Sequence, residues 1–290
     1  VIKNNLILSL IFFYFAASGQ VRINKSTDLL SSNTRTGFTE DLKMDFHSAL
    51  NKGLDFIESP LHFTAEDFIM TGIIASATSL SFFADQPVRN SVMKIHSNSL
   101  DKIIPIGENF GNAKYAAALT ATIYLGGLIS GESELRKTGL ILVETLFFNG
   151  LITEGLKITF GRARPYVNKG NMDIDLFTFE FDQEDYSLPS GHASVAFSVA
   201  TVLSERIGNI YASAALYSLA GLTAFQRIYR DQHWFSDTIL AAAIGTFVGL
   251  KMIKLNSESQ DPELNHEAKS ISFFPLLNHN SVGAGFSAAF

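Results

Sequence analysis

The sequence predicts an all-α fold: an up-and-down bundle of about six helices with a short β-like C-terminal tail. Three observations predict it. Apolar segments of helical length recur at Phe68 to Ala84, Tyr115 to Ser130, Leu140 to Leu156, Ala193 to Leu203, Tyr211 to Phe225 and Thr238 to Ile253. Small residues fill them (YAAALTAT, YASAALYSLAG, ILAAAIGTFVG), which lets helix backbones approach closely. The 290 residues are 47% hydrophobic and only 17% charged, where an ordinary globular domain has about 25% charged residues. Such a composition suits a membrane bundle or a very apolar helical core.

Taken in order, Lys3, the apolar run Leu6 to Ala17 and the small residues Ala16 to Gly19 have the three parts of a secretory signal peptide. Residues 1–19 are therefore expected to be a leader, with an uncleaved anchor as the alternative. Residues 20–64 form a polar lead-in containing one amphipathic helix, with Leu42, Phe46, Leu50, Leu54 and Ile57 at helical spacing. The bundle occupies 65–254. Within it, the connection from Ala84 to Lys114 is expected to hold a short helix and a loop, and that from Arg162 to Ser187 a long loop with an acidic, aromatic stretch (MDIDLFTFEFDQEDY). Glu144 and Glu154 make the third apolar segment marginal as a membrane span. Residues 255–290 form a polar linker and a tail in which Asn278 to Asn280 could turn two short strands.

Charge and composition exclude several functions. A formal charge of −6 leaves no basic face for nucleic acid. The absence of cysteine removes disulfides and thiolate metal sites.

Three short motifs carry the chemistry: Lys157 with Arg164-Pro165 (KITFGRARP), Pro189 to His192 (PSGH), and Arg227 with His233 and Asp237 (RIYRDQHWFSD). Singly, each has a bland alternative. Cations stabilise helix C-termini, Ser190 can cap a helix, and a His and an Asp four apart are an ordinary surface pair. Jointly they fall at the end of the third helix, the start of the fourth, the end of the fifth and the start of the sixth. In an up-and-down bundle those ends share one face. The face would gather three cations, helix-start N–H groups and two histidines, an inventory matched to a phosphoryl group, a nucleophile and a proton donor.

This arrangement resembles the type 2 phosphatidic acid phosphatase family, which shares its core with bacterial acid phosphatases and vanadium haloperoxidases. The motif block covers residues 157–237, and the flanking helices extend the likeness to about 65–253. The resemblance implies His233 as nucleophile, oriented by Asp237, and His192 as general acid and then base. It implies Lys157, Arg164, Arg227, Ser190 and the N–H of Gly191 as the phosphate cradle, with no metal and no cofactor. Gln226 departs from the pattern, standing where the family has Ser. Arg162 and Arg230 are expected to be loop cations paired with the acidic stretch Asp173 to Asp185, the alternative being a second phosphate or headgroup contact. His47, His62, His96, His266 and His279 are expected to be structural or solvated.

The leading expectation is a phosphatase acting on a phosphorylated lipid or a small phosphate ester, with a membrane as partner. A soluble periplasmic acid phosphatase, a vanadate-dependent haloperoxidase and a non-catalytic anion-binding membrane protein are the competitors. Arg136, Lys137, Arg206, Lys251 and Lys254 lie opposite the motif face, which favours a bacterial inner membrane with a periplasm-facing site. A cleaved leader followed by six full spans conflicts with that orientation. Substrate choice is expected to lie in the loops 85–114 and 162–187.

Overall fold

The computed structural model describes residues 38–179, 183–258, 270–278 and 281–289; the expected leader lies outside them. Helices dominate: α1 (Phe38–Glu58), α2 (Ala65–Ser81), α3 (Asp85–Met93), α4 (Asn98–Phe110), α5 (Ala113–Ser130), α6 (Ser133–Phe160), α7 (Gly191–Ile207), α8 (Ile210–Tyr229) and α9 (Phe235–Glu258). Strands β1 (Ser270–Asn278) and β2 (Ser281–Ala289) pair antiparallel, Ser270 opposite Ala289 and Asn278 opposite Ser281. The fold class is all-α, and every expected bundle helix is present.

The 84–114 connection is more helical than its sequence pattern indicates. Instead of one short helix and a loop it holds α3 and α4, with Pro105 inside α4. That proline makes the segment look irregular in sequence. Packing overrides it: Ile104 is fully buried, and Thr223 Oγ1 of α8 donates to Gly107 O at 2.7 Å.

At the centre lies α7, packed against α6, α8 and α9. Leu142, Val199, Val202, Val248 and Met252 are buried between them, each worth roughly 1.5–3 kcal/mol. Close approach depends on glycine, since a Cβ at Gly245 of α9 would stand 2.4 Å from Ser194 O of α7.

Many large apolar side chains lie on the described surface. Leu42, Phe46, Leu50, Leu54 and Ile57 of α1 are 37% to 63% exposed, while its Asp41, Asp45 and Lys52 turn inward. Arg136 of α6 meets Asp41 at 2.9 Å, and Lys52 donates to Asn256 Oδ1 at 2.5 Å. Glu144, suspected of spoiling a span, is buried and accepts from Asn256 Nδ2 at 2.7 Å. It faces the bundle, whereas Glu154, near the end of α6 that carries Lys157, is 66% exposed. Three segments are long and apolar enough to cross a membrane: Ala65–Met93, Ser133–Phe160 and Phe235–Ser257. Water-exposed proteins rarely leave so much contiguous apolar surface bare.

Candidate active site

Helix α6 ends at Gly161, whose φ of +47° belongs to the left-handed region; its N–H caps Lys157 O at 2.8 Å. A Cβ there would stand 2.0 Å from Asp175 O, so glycine is required both by conformation and by the returning loop. That loop is latched by backbone bonds from Ala163 to Asp173 O, Asp175 to Gly161 O and Phe177 to Thr159 O. Lys157, on the last turn of α6, pairs with Glu154 at 2.6 Å. Its ammonium nitrogen lies 3.4 Å from where a Gly191 Cβ would stand, beside the start of α7.

Ser190 caps α7, its Oγ accepting from Ala193 N at 3.4 Å, and its own N–H donates to Asp237 O at 3.2 Å. The fourth and sixth bundle helices thus begin in direct contact. From the end of α8, Arg227 O accepts from the N–H groups of Gln232 at 3.0 Å and His233 at 3.3 Å, folding the turn back to present His233. Arg89 of α3 braces this turn with bonds of 2.7 and 2.6 Å to the two carboxylate oxygens of Asp231, which has φ +57°. Gln232 Oε1 accepts from Arg164 Nη1 at 2.8 Å, tying the first motif to the third.

His233 is 3% exposed, and its Nδ1 lies 2.7 Å from Ser187 O. A carbonyl only accepts, so Nδ1 carries the proton and Nε2 presents its lone pair. Asp237 Oδ2 stands farther from Nδ1, at 3.5 Å. The sequence pattern points to a direct His233 and Asp237 bond; the structure interposes Ser187. Asp237 Oδ2 accepts from Ser187 Oγ at 2.5 Å and Trp234 N at 2.8 Å, and its Oδ1 from Arg162 Nη1 at 2.6 Å.

Arg162 corrects a sequence expectation. It does not pair with the acidic stretch but is fully buried between Asp85 and Asp237, 2.6 Å from each. Lys169 meets that stretch instead, at Asp185 (3.6 Å) and Asp173 (4.0 Å), and Arg230 approaches Asp101 at 3.8 Å. His96 stacks on Tyr229 with ring centroids 3.9 Å apart. Asp85, Ser187, Gln232 and Ser236 went unmarked in the sequence. Only Asp85 left a trace there, a lone carboxylate closing an apolar run (SFFAD).

The electrostatics are those of an anion site. Burial, then Arg227, Lys157 and Arg164, push the His192 imidazole down to about 4. Burial first, and Arg227 and Arg164 next, hold His233 at about 3 against the opposing pull of Asp237. Desolvation likewise lowers Arg164. The Nε atoms of Arg164 and Arg227 are buried without a hydrogen-bond partner among the described residues. Orphan donors of this kind are costly unless a ligand oxygen satisfies them. Gln226 turns away towards Glu108, 3.5 Å from its Oε2, so the departure from Ser sits beside the cradle.

Residues 138–261 match the family model described as the PAP2 superfamily. A lipid A 1-phosphatase of Porphyromonas gingivalis is 34% identical over 102 residues, covering 34% of this chain and 19% of that protein. A lipid A 4'-phosphatase of the same organism is 27% identical over 111 residues, covering 38% of this chain and 47% of its own. The aligned stretches thus span less than half the length of either relative. Among solved structures, a transmembrane PAP2-type phosphatidylglycerolphosphate phosphatase from Bacillus subtilis superposes with a TM-score of 0.51 at 18% identity, covering 69% of this chain and 96% of that one. That likeness concerns the fold.

Proposed function

We propose that this chain is a PAP2-type phosphatase acting on a phosphorylated lipid through a phosphohistidine on His233. One observation carries the reading: Ser187 O fixes the proton on Nδ1, leaving Nε2 as a bare nucleophile beside the orphan donors of Arg164 and Arg227. Attack by Nε2 forms the N–P bond as the P–O bond breaks, and the departing oxygen takes a proton from His192. Neutral His192 then removes a proton from water, which attacks phosphorus, breaks the N–P bond and releases inorganic phosphate. Lys157, Arg164, Arg227, Ser190 and the N–H of Gly191 hold the non-bridging oxygens, so the chemistry calls on no metal. The dianionic substrate offsets the cations around His192, favouring the protonated form that the first step needs.

Similarity to the two lipid A phosphatases favours a lipid-linked phosphate, a monoester or a diphosphate. The exposed apolar faces of α1 and α2 support the inner membrane over a soluble periplasmic protein. A periplasm-facing site fits the basic residues Arg136, Arg206 and Lys254 at the opposite end. Radiolabelled phosphate from lipid A should be trapped on wild-type protein, stable to alkali and labile to acid, and absent from His233→Ala. Phosphate release that survives in His233→Ala would overturn the covalent mechanism.

A further inference from the structure

Of all the charged groups outside the motifs, Asp85 is the most completely enclosed near the site. It is fully buried at the start of α3 and reaches no surface on which a substrate could touch it. Its Oδ2 accepts from Arg162 Nη2 at 2.6 Å and Ser236 Oγ at 2.8 Å, and its Oδ1 from Ser236 N at 2.8 Å. Arg162 passes the constraint on twice. Nη1 donates to Asp237 Oδ1 at 2.6 Å, and Arg162 O accepts from Ser187 N at 2.9 Å. Ser187 is therefore gripped from both sides, by Arg162 through its N–H and by Asp237 through its hydroxyl. Its remaining backbone group is the carbonyl that holds His233.

We propose that Asp85 is a positioning residue for phosphoryl transfer, acting through Arg162 on Asp237 and Ser187 to fix and electrostatically support His233. This deepens the phosphohistidine reading and rests on it.

The physical argument has two parts. Geometrically, a guanidinium is a planar fork, and two carboxylates on its two ends allow it only one orientation. Removing Asp85 leaves Nη2 held only by the carbonyl oxygen of Asn171, at 2.5 Å, so the carboxylate that fixes the angle of the fork against Asp237 is lost. Electrostatically, Arg162 shares its charge between two carboxylates. Without Asp85 the whole guanidinium charge bears on Asp237, which is then less able to stabilise the imidazolium that His233 becomes on phosphorylation. The other charges facing His233, Arg164 and Arg227, are positive and cannot substitute. Both effects act on the transition state and leave the oxygen cradle intact.

The test compares wild-type, Asp85→Asn and Asp85→Glu full-length proteins in detergent, with a soluble aryl phosphate. Single-turnover rate constants, with enzyme in excess, report on folded sites only. Asp85→Asn is expected to slow the single-turnover step by about 10- to 100-fold while KM moves less than about 2-fold, the signature of an interaction felt in the transition state. Asp85→Glu, which restores the charge, is expected to recover part of the rate. An unchanged single-turnover constant in Asp85→Asn, with loss confined to the yield or melting temperature of folded protein, would make Asp85 purely structural and overturn the proposal. If Asp85→Asn yields no folded protein, the Asp85→Glu constant decides alone. Absence of trapped phosphoenzyme in the wild type would instead sink the covalent reading, and is read separately.

Discussion

The Nδ1 of His233 lies 2.7 Å from the carbonyl oxygen of Ser187. A backbone carbonyl thus sets the tautomer, and the carboxylate of Asp237 acts from 3.5 Å as a charge. Where a carboxylate alone fixes a catalytic histidine, its amide substitute costs about 10⁴-fold because the wrong tautomer results. Here Asp237→Asn leaves the carbonyl in place. The expected loss in kcat is about 10²-fold, well short of the complete loss in His233→Ala. Equal losses in the two variants would assign the tautomer to Asp237 after all.

The orphan donors define a second expectation. Arg227 Nε and Arg164 Nε are buried and unpaired among the described residues, and under the proposed function a phosphoryl oxygen would supply their missing bonds. Lysine keeps the charge but has no planar fork. Arg227→Lys should therefore lower kcat/KM by about 10²-fold, from the loss of charged hydrogen bonds worth about 1.5–3 kcal/mol each. Orthovanadate inhibition should weaken in parallel. Retention of full activity by the lysine variant would show that charge alone suffices.

His192 is assigned by the leaving group. An alkyl alcohol departs only with a proton, whereas nitrophenolate leaves without one. His192→Ala should slow phosphoenzyme formation from an alkyl phosphate by about 10²- to 10⁴-fold and from nitrophenyl phosphate far less. The phosphoenzyme should then accumulate, because its hydrolysis has lost a base. Equal slowing with both esters would remove His192 from the protonation step.

The two histidines also predict a pH-dependent stability. Both folded values, about 4 for His192 and about 3 for His233, lie below the ordinary 6.5, so the unfolded chain binds more protons between those limits. Free protein should lose stability as pH falls from 6.5 towards 4, and vanadate should blunt the loss by neutralising the cations around His192. A melting temperature that stays flat across that window would contradict the burial of neutral imidazoles.

What could be read from sequence follows the distance over which each feature is determined. Ser190, Arg227 and His233 stand out in the sequence because they fall in short motifs beside helix ends, and those are local. The pairing of Asp85 with Arg162 does not, because the two are 77 residues apart and meet only when α3 packs against α8 and α9 beside the loop that follows α6. Arg162 was assigned to the acidic loop for the same reason: proximity in sequence favoured Asp173, and tertiary packing chose Asp85. The α1 stripe was visible as a pattern, yet a periodicity cannot say whether its apolar side faces protein or lipid.

Glycines along the end of α6 supply a paired test of the loop latch. At Gly161 a side chain meets both penalties: φ is +47°, and the added carbon would lie 2.0 Å from Asp175 O and 2.5 Å from Thr178 Oγ1. Gly161→Ala must therefore displace the segment carrying Arg162 and Arg164, with an expected cost of at least about 1–2 kcal/mol from the left-handed backbone alone. Gly150 lies inside the same helix with nothing within 4 Å of an added Cβ. Gly150→Ala removes backbone entropy from the unfolded chain and should stabilise by about 0.4–1 kcal/mol. Thermal melting in detergent should move in opposite directions for the two variants, and only Gly161→Ala should also raise KM for a phosphate ester. If Gly161→Ala melted normally and kept its KM, the turn after α6 would not be what holds the arginine pair in place.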